Sequence, residues 1–160
     1  MNTLHKKNMS ILIAEDDPDD RLLIKEAFEE NKIANPFHFV GDGEELLEFL
    51  YRQGPFAELV NDPLPALIIL DLNMPRVDGR EILEVLKSHH KFKTIPIVTM
   101  TTSNDEADMW HCYENGANAY VVKPSNFKQL SKIISAMSEF WLNFVSQPKP
   151  ENRIGLSGNA

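Results

Sequence analysis

The amino-acid sequence predicts an α/β protein in which a doubly wound sheet of five parallel strands is covered by helices on both faces. Short apolar runs alternate along the chain with longer segments whose apolar residues recur three or four positions apart. Strands that are separated by helices in this way run parallel, because only a crossover connection returns the chain to the same end of the sheet.

The predicted strands are short apolar runs bounded by polar residues, glycine or proline. They cover, in chain order, residues 10–14, 36–40, 66–70, 94–100 and 119–122. Between the second and third strands, residues 54–65 read GPFAELVNDPLP. We predict a long connection there that is broken by proline.

The predicted helices each carry apolar residues on one face. The first begins after the Asp-Pro pair at residues 17 and 18, where Leu23 shares a face with Ala27 and Ile24 with Phe28. The later helices are marked by residues 43–52, by Ile82, Val85 and Leu86, by residues 105–115, and by an apolar series that runs through Leu130, Ile133, Ile134, Met137, Phe140, Trp141 and Phe144.

The last helix is longer than a compact domain of this kind needs. Exposed aromatic side chains at helical spacing favour an interface, so we expect a homodimer that packs through Phe140, Trp141 and Phe144. The alternative is that the end of the chain folds back over its own domain. We expect one domain over residues 1–147 and a flexible tail over 148–160, because Pro148 and Pro150 end the helix.

Composition excludes several classes of function. The formal net charge of −8 argues against a nucleic-acid surface, which needs clustered lysine and arginine. No apolar run is long enough for a membrane span, and Cys112 is the only cysteine, so we expect a cytoplasmic protein without internal disulfides. Glycine-rich phosphate loops are absent from the sequence, which makes nucleotide binding a poor hypothesis.

Polar residues follow the predicted strands, and the carboxyl ends of parallel strands meet at one edge of the sheet. Glu15 and Asp16 follow the first strand, Asp71 the third, Thr101 the fourth and Lys123 the fifth. Clustered carboxylates repel one another unless a cation compensates them, and hard oxygen ligands suit Mg²⁺. The sequence therefore predicts a cation site at this edge, where a phosphoryl group could also be accommodated.

Neighbouring residues receive structural interpretations. Asp17, Asp19 and Asp20 are expected to be solvated residues at the start of a helix, where negative charge is favourable. Pro75 and Gly79 are expected to shape the loop after Asp71, Gly79 by adopting a conformation that other residues resist.

Four segments resemble, in their order, the receiver domain of two-component response regulators: ILIAEDDPDD, LIILDLNMPRVDG, IPIVTMTTS and YVVKP. The resemblance extends over roughly residues 9–145. It implies a flavodoxin-like sheet with strand order 2-1-3-4-5. It also implies a phosphoacceptor signalling protein, not an enzyme in the usual sense.

The resemblance further implies roles for individual residues. Asp71 would accept a phosphoryl group from a sensor histidine kinase, with Lys123 and Thr101 contacting the phosphoryl oxygens. Magnesium would be held by Asp16, Asp71, the backbone carbonyl of Asn73, and Glu15. Tyr120 and Thr101 would form a switch that changes the surface of helix 4, strand 5 and helix 5. Family members also hold the bond between Lys123 and Pro124 cis.

A narrower resemblance connects the chain with the single-domain response regulators that partner cyanobacterial phytochromes. It is carried by DLNMPRVDGREILEVLK, by the GPF segment of the long connection and by FWL at residues 140–142. It implies that a phytochrome histidine kinase is the partner.

Two hypotheses from other classes stay open at the level of sequence. A phosphohydrolase of similar topology would have a second aspartate two residues after its nucleophile, where this chain has Asn73. A binding module that is never phosphorylated would not need Lys123 and Thr101 together with the acidic pair.

Overall fold

The computed structural model describes residues 9–148, and its centre is a five-stranded parallel sheet with strand order β2-β1-β3-β4-β5. The fold class and strand order predicted from the sequence are therefore confirmed. The strands are β1 (Ile11–Ala14), β2 (Phe37–Val40), β3 (Leu67–Leu70), β4 (Ile97–Thr101) and β5 (Ala119–Val122).

Five α-helices connect and follow these strands. They are α1 (Pro18–Glu30), α2 (Gly43–Tyr51), α3 (Gly79–Ser88), α4 (Glu106–Glu114) and α5 (Phe127–Ser138). The long connection between α2 and β3 contains a short 3₁₀ helix, Gly54–Leu59. Within the described residues, 9–148, no helix is both long and apolar enough to cross a membrane.

Every α-helix begins with an acidic or amide side chain that accepts hydrogen bonds from the first backbone N–H groups. In α1 the cap is Asp17, which accepts from the amides of Asp19 and Asp20. The expected helix-start role of Asp17 is thus confirmed. The other caps are Asp42, Asp78, Asp105 and Asn126. These caps let each helix start close to the strand end that precedes it.

Successive side chains along each strand point to opposite faces of the sheet, which divides the core into two layers. In β1, Leu12 and Ala14 point into the layer that α2, α3 and α4 cover. Ile11 and Ile13 point into the opposite layer, which α1 and α5 cover. The central strand β3 is buried over its whole length. Its carboxyl end therefore lies in the middle of the sheet edge where strands and helices meet.

The end of α5 differs from the regular helix that the apolar spacing predicts. After Ser138 the chain continues as a π-helical segment, Glu139–Phe144, in which the amide of Val145 donates to the carbonyl of Phe140. The wider turn changes which side chains face the core, so that Leu142 is buried while Phe144 is 71% exposed.

The expectation that the bond between Lys123 and Pro124 is cis is wrong, because this bond is trans in the structure. Residues 9–148 contain no cis peptide bond. The trans isomer is the lower-energy form even before proline, and with it the Lys123 ammonium already reaches the acidic residues described below.

Candidate functional site

The strand ends converge because the backbone pairing of the sheet continues one residue beyond three of its strands. The amide of Glu15 donates to the carbonyl of Val40, and the amide of Asp71 donates to Ala14 across β1 and β3. On the other side, the amide of Lys123 donates to the carbonyl of Thr101 at 2.7 Å. The sheet therefore fixes the backbone positions from which the side chains of Glu15, Asp71 and Lys123 extend.

The ammonium of Lys123 is the centre of the site. Its Nζ donates to Glu15 Oε1, to Asp20 Oδ2 at 2.9 Å and to Asp71 Oδ2 at 3.0 Å. Glu15 and Asp71 are buried, and the Lys123 side chain is only 13% exposed. One cation thus faces three carboxylates, which leaves this pocket with an excess of negative charge.

Burial and charge act in opposite directions on these groups. Burial alone would lower the pKa of Lys123, but the hydrogen bonds to Glu15, Asp20 and Asp71 outweigh it and raise that pKa above its ordinary value. Burial raises the pKa of Glu15 against the opposing effect of the Lys123 ammonium. Lys123 therefore carries a firmly held positive charge at neutral pH.

A divalent cation fits the remaining oxygen atoms. Carboxylate oxygens of Glu15, Asp16 and Asp71 lie within 4.8 Å of one another. Asp16 is exposed, whereas Glu15 and Asp71 are buried, so the group opens to solvent on one side. Oxygen ligands with an open side suit Mg²⁺ or Mn²⁺. The excess negative charge beside Lys123 is the second reason why a cation fits here.

Asn73 joins Asp71 to Thr101. The amide of Asn73 donates to Asp71 Oδ1 at 3.2 Å, and its side-chain Nδ2 donates to Thr101 Oγ1 at 3.4 Å. Thr101 is fully buried at the end of β4. The structure therefore brings Glu15, Asp16, Asp71, Asn73, Thr101 and Lys123, all named from the sequence, to one edge of the sheet.

The loop after Asp71 returns very close to its own strand. A Cβ atom on Gly79 would lie 2.2 Å from the carbonyl oxygen of Asp71 and 2.7 Å from Leu72 Cα. The expected reason for a glycine at this position is wrong, since Gly79 does not have a positive φ. Space is the reason, because any side chain here would push against the backbone of the candidate phosphoacceptor.

Tyr120 lies apart from the carboxylates, on β5. Its hydroxyl donates to the backbone carbonyl of Ser103 at 2.8 Å, and the Ser103 amide donates to Thr101 Oγ1 at 3.4 Å. The two expected switch residues are therefore not in direct hydrogen bond with each other but share Ser103 as a partner.

Sequence reasoning missed two features of this region. Asp20, interpreted as a solvated helix-start residue, is a direct partner of Lys123. No sequence signal separates it from Asp19, which lies in the same first turn of α1 and is exposed. The other missed feature is an ion pair between Arg80 and Asp108, whose partners lie on different helices, 28 residues apart.

The predicted interface residues lie after α5 and are not part of the cluster around Lys123. Phe140 is 53% and Phe144 is 71% exposed, whereas Trp141 is half-buried against the core layer below α5. The rings of Phe140 and Trp141 contact each other edge to face at 5.1 Å. The end of the helix thus folds partly onto its own domain and still leaves two phenylalanines in solvent. Most of the predicted tail, residues 149–160, lies outside the described residues.

Comparisons with known proteins agree with this geometry. Residues 11–135 match the response regulator receiver domain, a range that includes every strand end of the site. The response regulator Rcp1 of Synechocystis sp. (strain ATCC 27184 / PCC 6803 / Kazusa) is 39% identical over 138 residues, which cover 86% of this chain and 92% of Rcp1.

Two solved structures are similar in both fold and sequence. The phosphorylated cyanobacterial phytochrome response regulator RcpA has a TM-score of 0.81 and 38% identity, and the match covers 88% of this chain and 99% of RcpA. The Mn²⁺-bound form of response regulator Rcp1 has a TM-score of 0.79 and 38% identity, with the same two coverages.

Proposed function

The chain belongs to the response regulator receiver domain family, and we propose that it is a single-domain response regulator that accepts a phosphoryl group on Asp71 from a sensor histidine kinase. The observation that carries this proposal is the contact between the Lys123 ammonium and the buried carboxylate of Asp71 at 3.0 Å. Two-component phosphotransfer needs such a carboxylate, which is anionic, fixed and beside a positive charge.

In the proposed reaction, a carboxylate oxygen of Asp71 attacks the phosphorus of a phosphohistidine. A new P–O bond forms, the P–N bond breaks, and the imidazole leaves with the electron pair of that bond. The protein contributes mainly position and electrostatics, as is usual for phosphoryl transfer. Asp71 is held for this attack by its bonds to Lys123 and to the amide of Asn73.

We assign the cation site to Glu15, Asp16, Asp71 and the backbone carbonyl of Asn73, with Mg²⁺ as the resident ion. When bound, Mg²⁺ screens the carboxylate from the anionic phosphoryl group and stabilises charge on its oxygens. This proposal is supported by the three clustered carboxylates and by the Mn²⁺-bound form of the similar protein Rcp1.

Lys123 and Thr101 have complementary proposed roles toward the phosphoryl group. The Lys123 ammonium exchanges part of its contact with carboxylates for contact with phosphoryl oxygens. The Thr101 hydroxyl accepts hydrogen bonds from Asn73 and Ser103, so its own proton remains available for a phosphoryl oxygen. A hydrolase is less well supported, because Asn73 offers an amide where a hydrolase would have an acid.

The proposed output is a change of surface. A phosphoryl group that binds one arrangement of Thr101 and Tyr120 better than another shifts the population toward it. The affected surface consists of α4, β5 and α5. Here Trp110, Tyr113 and Val122 are exposed apolar side chains that a partner protein could bury.

A phytochrome histidine kinase in the cytoplasm is the proposed partner, and the support is the similarity to RcpA and Rcp1. The test is phosphotransfer from a panel of phosphorylated histidine kinases to wild-type protein and Asp71→Asn. We expect a phytochrome kinase to lose its label fastest to the wild type and to transfer none to Asp71→Asn. Equal transfer from unrelated kinases would contradict the choice of partner, and labelled Asp71→Asn would contradict the acceptor.

We also propose a homodimer that packs through the π-helical segment after α5, because Phe140 and Phe144 are exposed beside the half-buried Trp141. Sedimentation equilibrium of the double variant Phe140→Ser/Phe144→Ser should give a dissociation constant at least tenfold higher than that of the wild type. Trp110→Ser is the matched control, since Trp110 is 66% exposed on α4. If Trp110→Ser dissociated the dimer and the double variant did not, the interface would lie on α4.

A further inference from the structure

Ser103, in the loop between β4 and α4, contacts both proposed switch residues. Its amide donates to Thr101 Oγ1 at 3.4 Å, and its carbonyl accepts from the hydroxyl of Tyr120 at 2.8 Å. Its side-chain hydroxyl donates to Asp108 Oδ2 at 2.6 Å. The position of Ser103 therefore determines the hydrogen bonds that Thr101 and Tyr120 can make.

Asp108 is in turn held by Arg80 across the gap between α3 and α4. Arg80 donates to both carboxylate oxygens of Asp108, from Nε at 2.7 Å and from Nη2 at 2.8 Å. Its third nitrogen, Nη1, donates to Asp78 Oδ2 at 3.2 Å. This fork fixes both the distance and the orientation of the pair, which a single contact would not do.

The electrostatics agree with a stable pair. The hydrogen bonds from Arg80 and Ser103 lower the pKa of Asp108 to about 2. The Asp108 side chain is 17% exposed and that of Arg80 is 30% exposed, so solvent screens the pair only in part. Asp108 is therefore ionised over the whole physiological pH range and accepts the Ser103 hydrogen bond throughout it.

We infer that Arg80 and Asp108 are positioning residues that restrain the phosphoryl transfer. Through Ser103, they hold Thr101 and Tyr120 in the arrangement that precedes phosphorylation. This inference rests on the proposed function. Neither residue touches the reacting atoms, because both act through the loop between β4 and α4. Arg80 lies in the first turn of α3, directly after Gly79, so the pair also joins the loop that follows Asp71 to α4.

The pair sets how often the protein visits the arrangement that a phosphoryl group favours. If that arrangement is a minor state, the rate of modification by a small donor rises with its population. Without the pair, neither Thr101 nor Tyr120 is held in the arrangement that precedes phosphorylation. We expect Arg80→Gln and Asp108→Asn to accelerate modification by roughly threefold to tenfold. This is the change in population that follows from the loss of a partly exposed hydrogen bond between charged groups.

The experiment uses two readouts on the full chain. The first is hydrogen exchange of the backbone over residues 101–108 in the unphosphorylated protein. The second is the initial rate of the mass adduct formed with phosphoramidate and Mg²⁺. Arg76→Gln is the matched control, because Arg76 also pairs with acidic residues, Asp42 and Glu44, but is 66% exposed. We expect faster exchange and faster modification in Arg80→Gln and Asp108→Asn, and neither change in Arg76→Gln.

The conservative variant Arg80→Lys separates positioning from general damage, because it keeps the positive charge and leaves the acceptor of the Ser103 hydrogen bond in place. We expect both of its readouts to lie between those of the wild type and Arg80→Gln, since lysine cannot form the fork. Ser103→Ala, which keeps the ion pair but loses its link to the loop, should behave like Asp108→Asn. Unchanged exchange and rate in all variants would overturn the inference, as would slower modification in Arg80→Gln and Asp108→Asn. A wild type without any adduct would contradict the proposed function, while the exchange readout would still decide the role of the pair.

Discussion

The Lys123 Nζ atom lies 3.0 Å from Asp71 Oδ2, although the two residues are 52 positions apart in the chain. They meet because β3 and β5 flank β4 in the sheet and all three strands run parallel. Glu15, from the end of β1, shares the same ammonium. The fold thus builds a pocket in which two buried carboxylates depend on a single lysine.

Replacement of Lys123 by methionine should damage both stability and reactivity. Without the ammonium, Glu15 and Asp71 remain buried and uncompensated, so the free energy of unfolding at pH 7 should fall by about 3 kcal/mol. Modification of Asp71 by phosphoramidate should slow by at least about tenfold. Urea unfolding and mass spectrometry measure the two effects. Lys128→Met, at an exposed position of α5, is the control and should behave like the wild type. A Lys123→Met variant as stable as the wild type would show that the carboxylates do not need this charge.

Loss of a proposed cation ligand should weaken divalent metal binding. Asp16→Asn and Glu15→Gln each remove one of the three clustered carboxylates, and we expect about a tenfold to hundredfold weaker affinity for Mn²⁺. Titration followed by electron paramagnetic resonance measures free Mn²⁺ directly. Asp19→Asn removes a nearby exposed charge and should change affinity by less than about threefold. Equal losses in all three variants would point to general attraction by negative charge and against a defined site.

Gly79→Ala tests the close return of the loop to Asp71. The new Cβ would lie 2.2 Å from the Asp71 carbonyl oxygen, so the backbone must move. We expect a loss of more than about 2 kcal/mol in the free energy of unfolding, together with slower modification of Asp71. In the control Gly41→Ala, the Cβ would meet only the ends of two side chains, Arg21 Nη2 at 3.0 Å and Glu45 Oε2 at 3.6 Å. That variant should stay within about 1 kcal/mol of the wild type. Equal effects of the two substitutions would refute the role of space at Gly79.

The pair between Arg80 and Asp108 predicts a specific pH dependence. The pKa of Asp108 falls from 3.8 to about 2 in the folded protein, so ionised Asp108 stabilises the fold at pH values above 3.8. This contribution is lost as the pH falls toward 2. After a discount for solvent screening, we expect Asp108→Asn to be about 1–2 kcal/mol less stable than the wild type at pH 7. The difference in urea unfolding should shrink below pH 4. A difference that stays constant down to pH 3 would contradict the assigned pKa.

Much of the fold could be predicted because each strand is an apolar run that ends at a polar residue. Asp71 and Lys123 stand directly after such runs, and the parallel arrangement alone brings them to one edge of the sheet. The residues that follow strand ends were therefore the easiest to assign from the sequence. Their chemical roles follow from the resemblance to the receiver family and not from the spacing.

The sequence could not reveal contacts that depend on how helices face one another. Asp20 and Asp19 are the same residue type in the same turn of α1, and only the packing of that helix directs Asp20 toward Lys123. The fork between Arg80 and Asp108 requires the relative positions of α3 and α4. After α5, the apolar spacing predicts a regular helix that continues through Phe144, but the chain forms a π-helical segment there and buries Leu142.

The most direct test of the account is the site of modification after incubation with phosphoramidate and Mg²⁺. Intact-mass measurement should show an increase of about 80 Da, the mass of one phosphoryl group, in the wild type only. Borohydride reduction of the aspartyl phosphate and peptide mapping should then find homoserine at position 71. Asp71→Asn, and wild type without a divalent cation, should show no adduct. An adduct on another residue, or an equal adduct in Asp71→Asn, would contradict the claim that the Asp71 carboxylate is the phosphoacceptor.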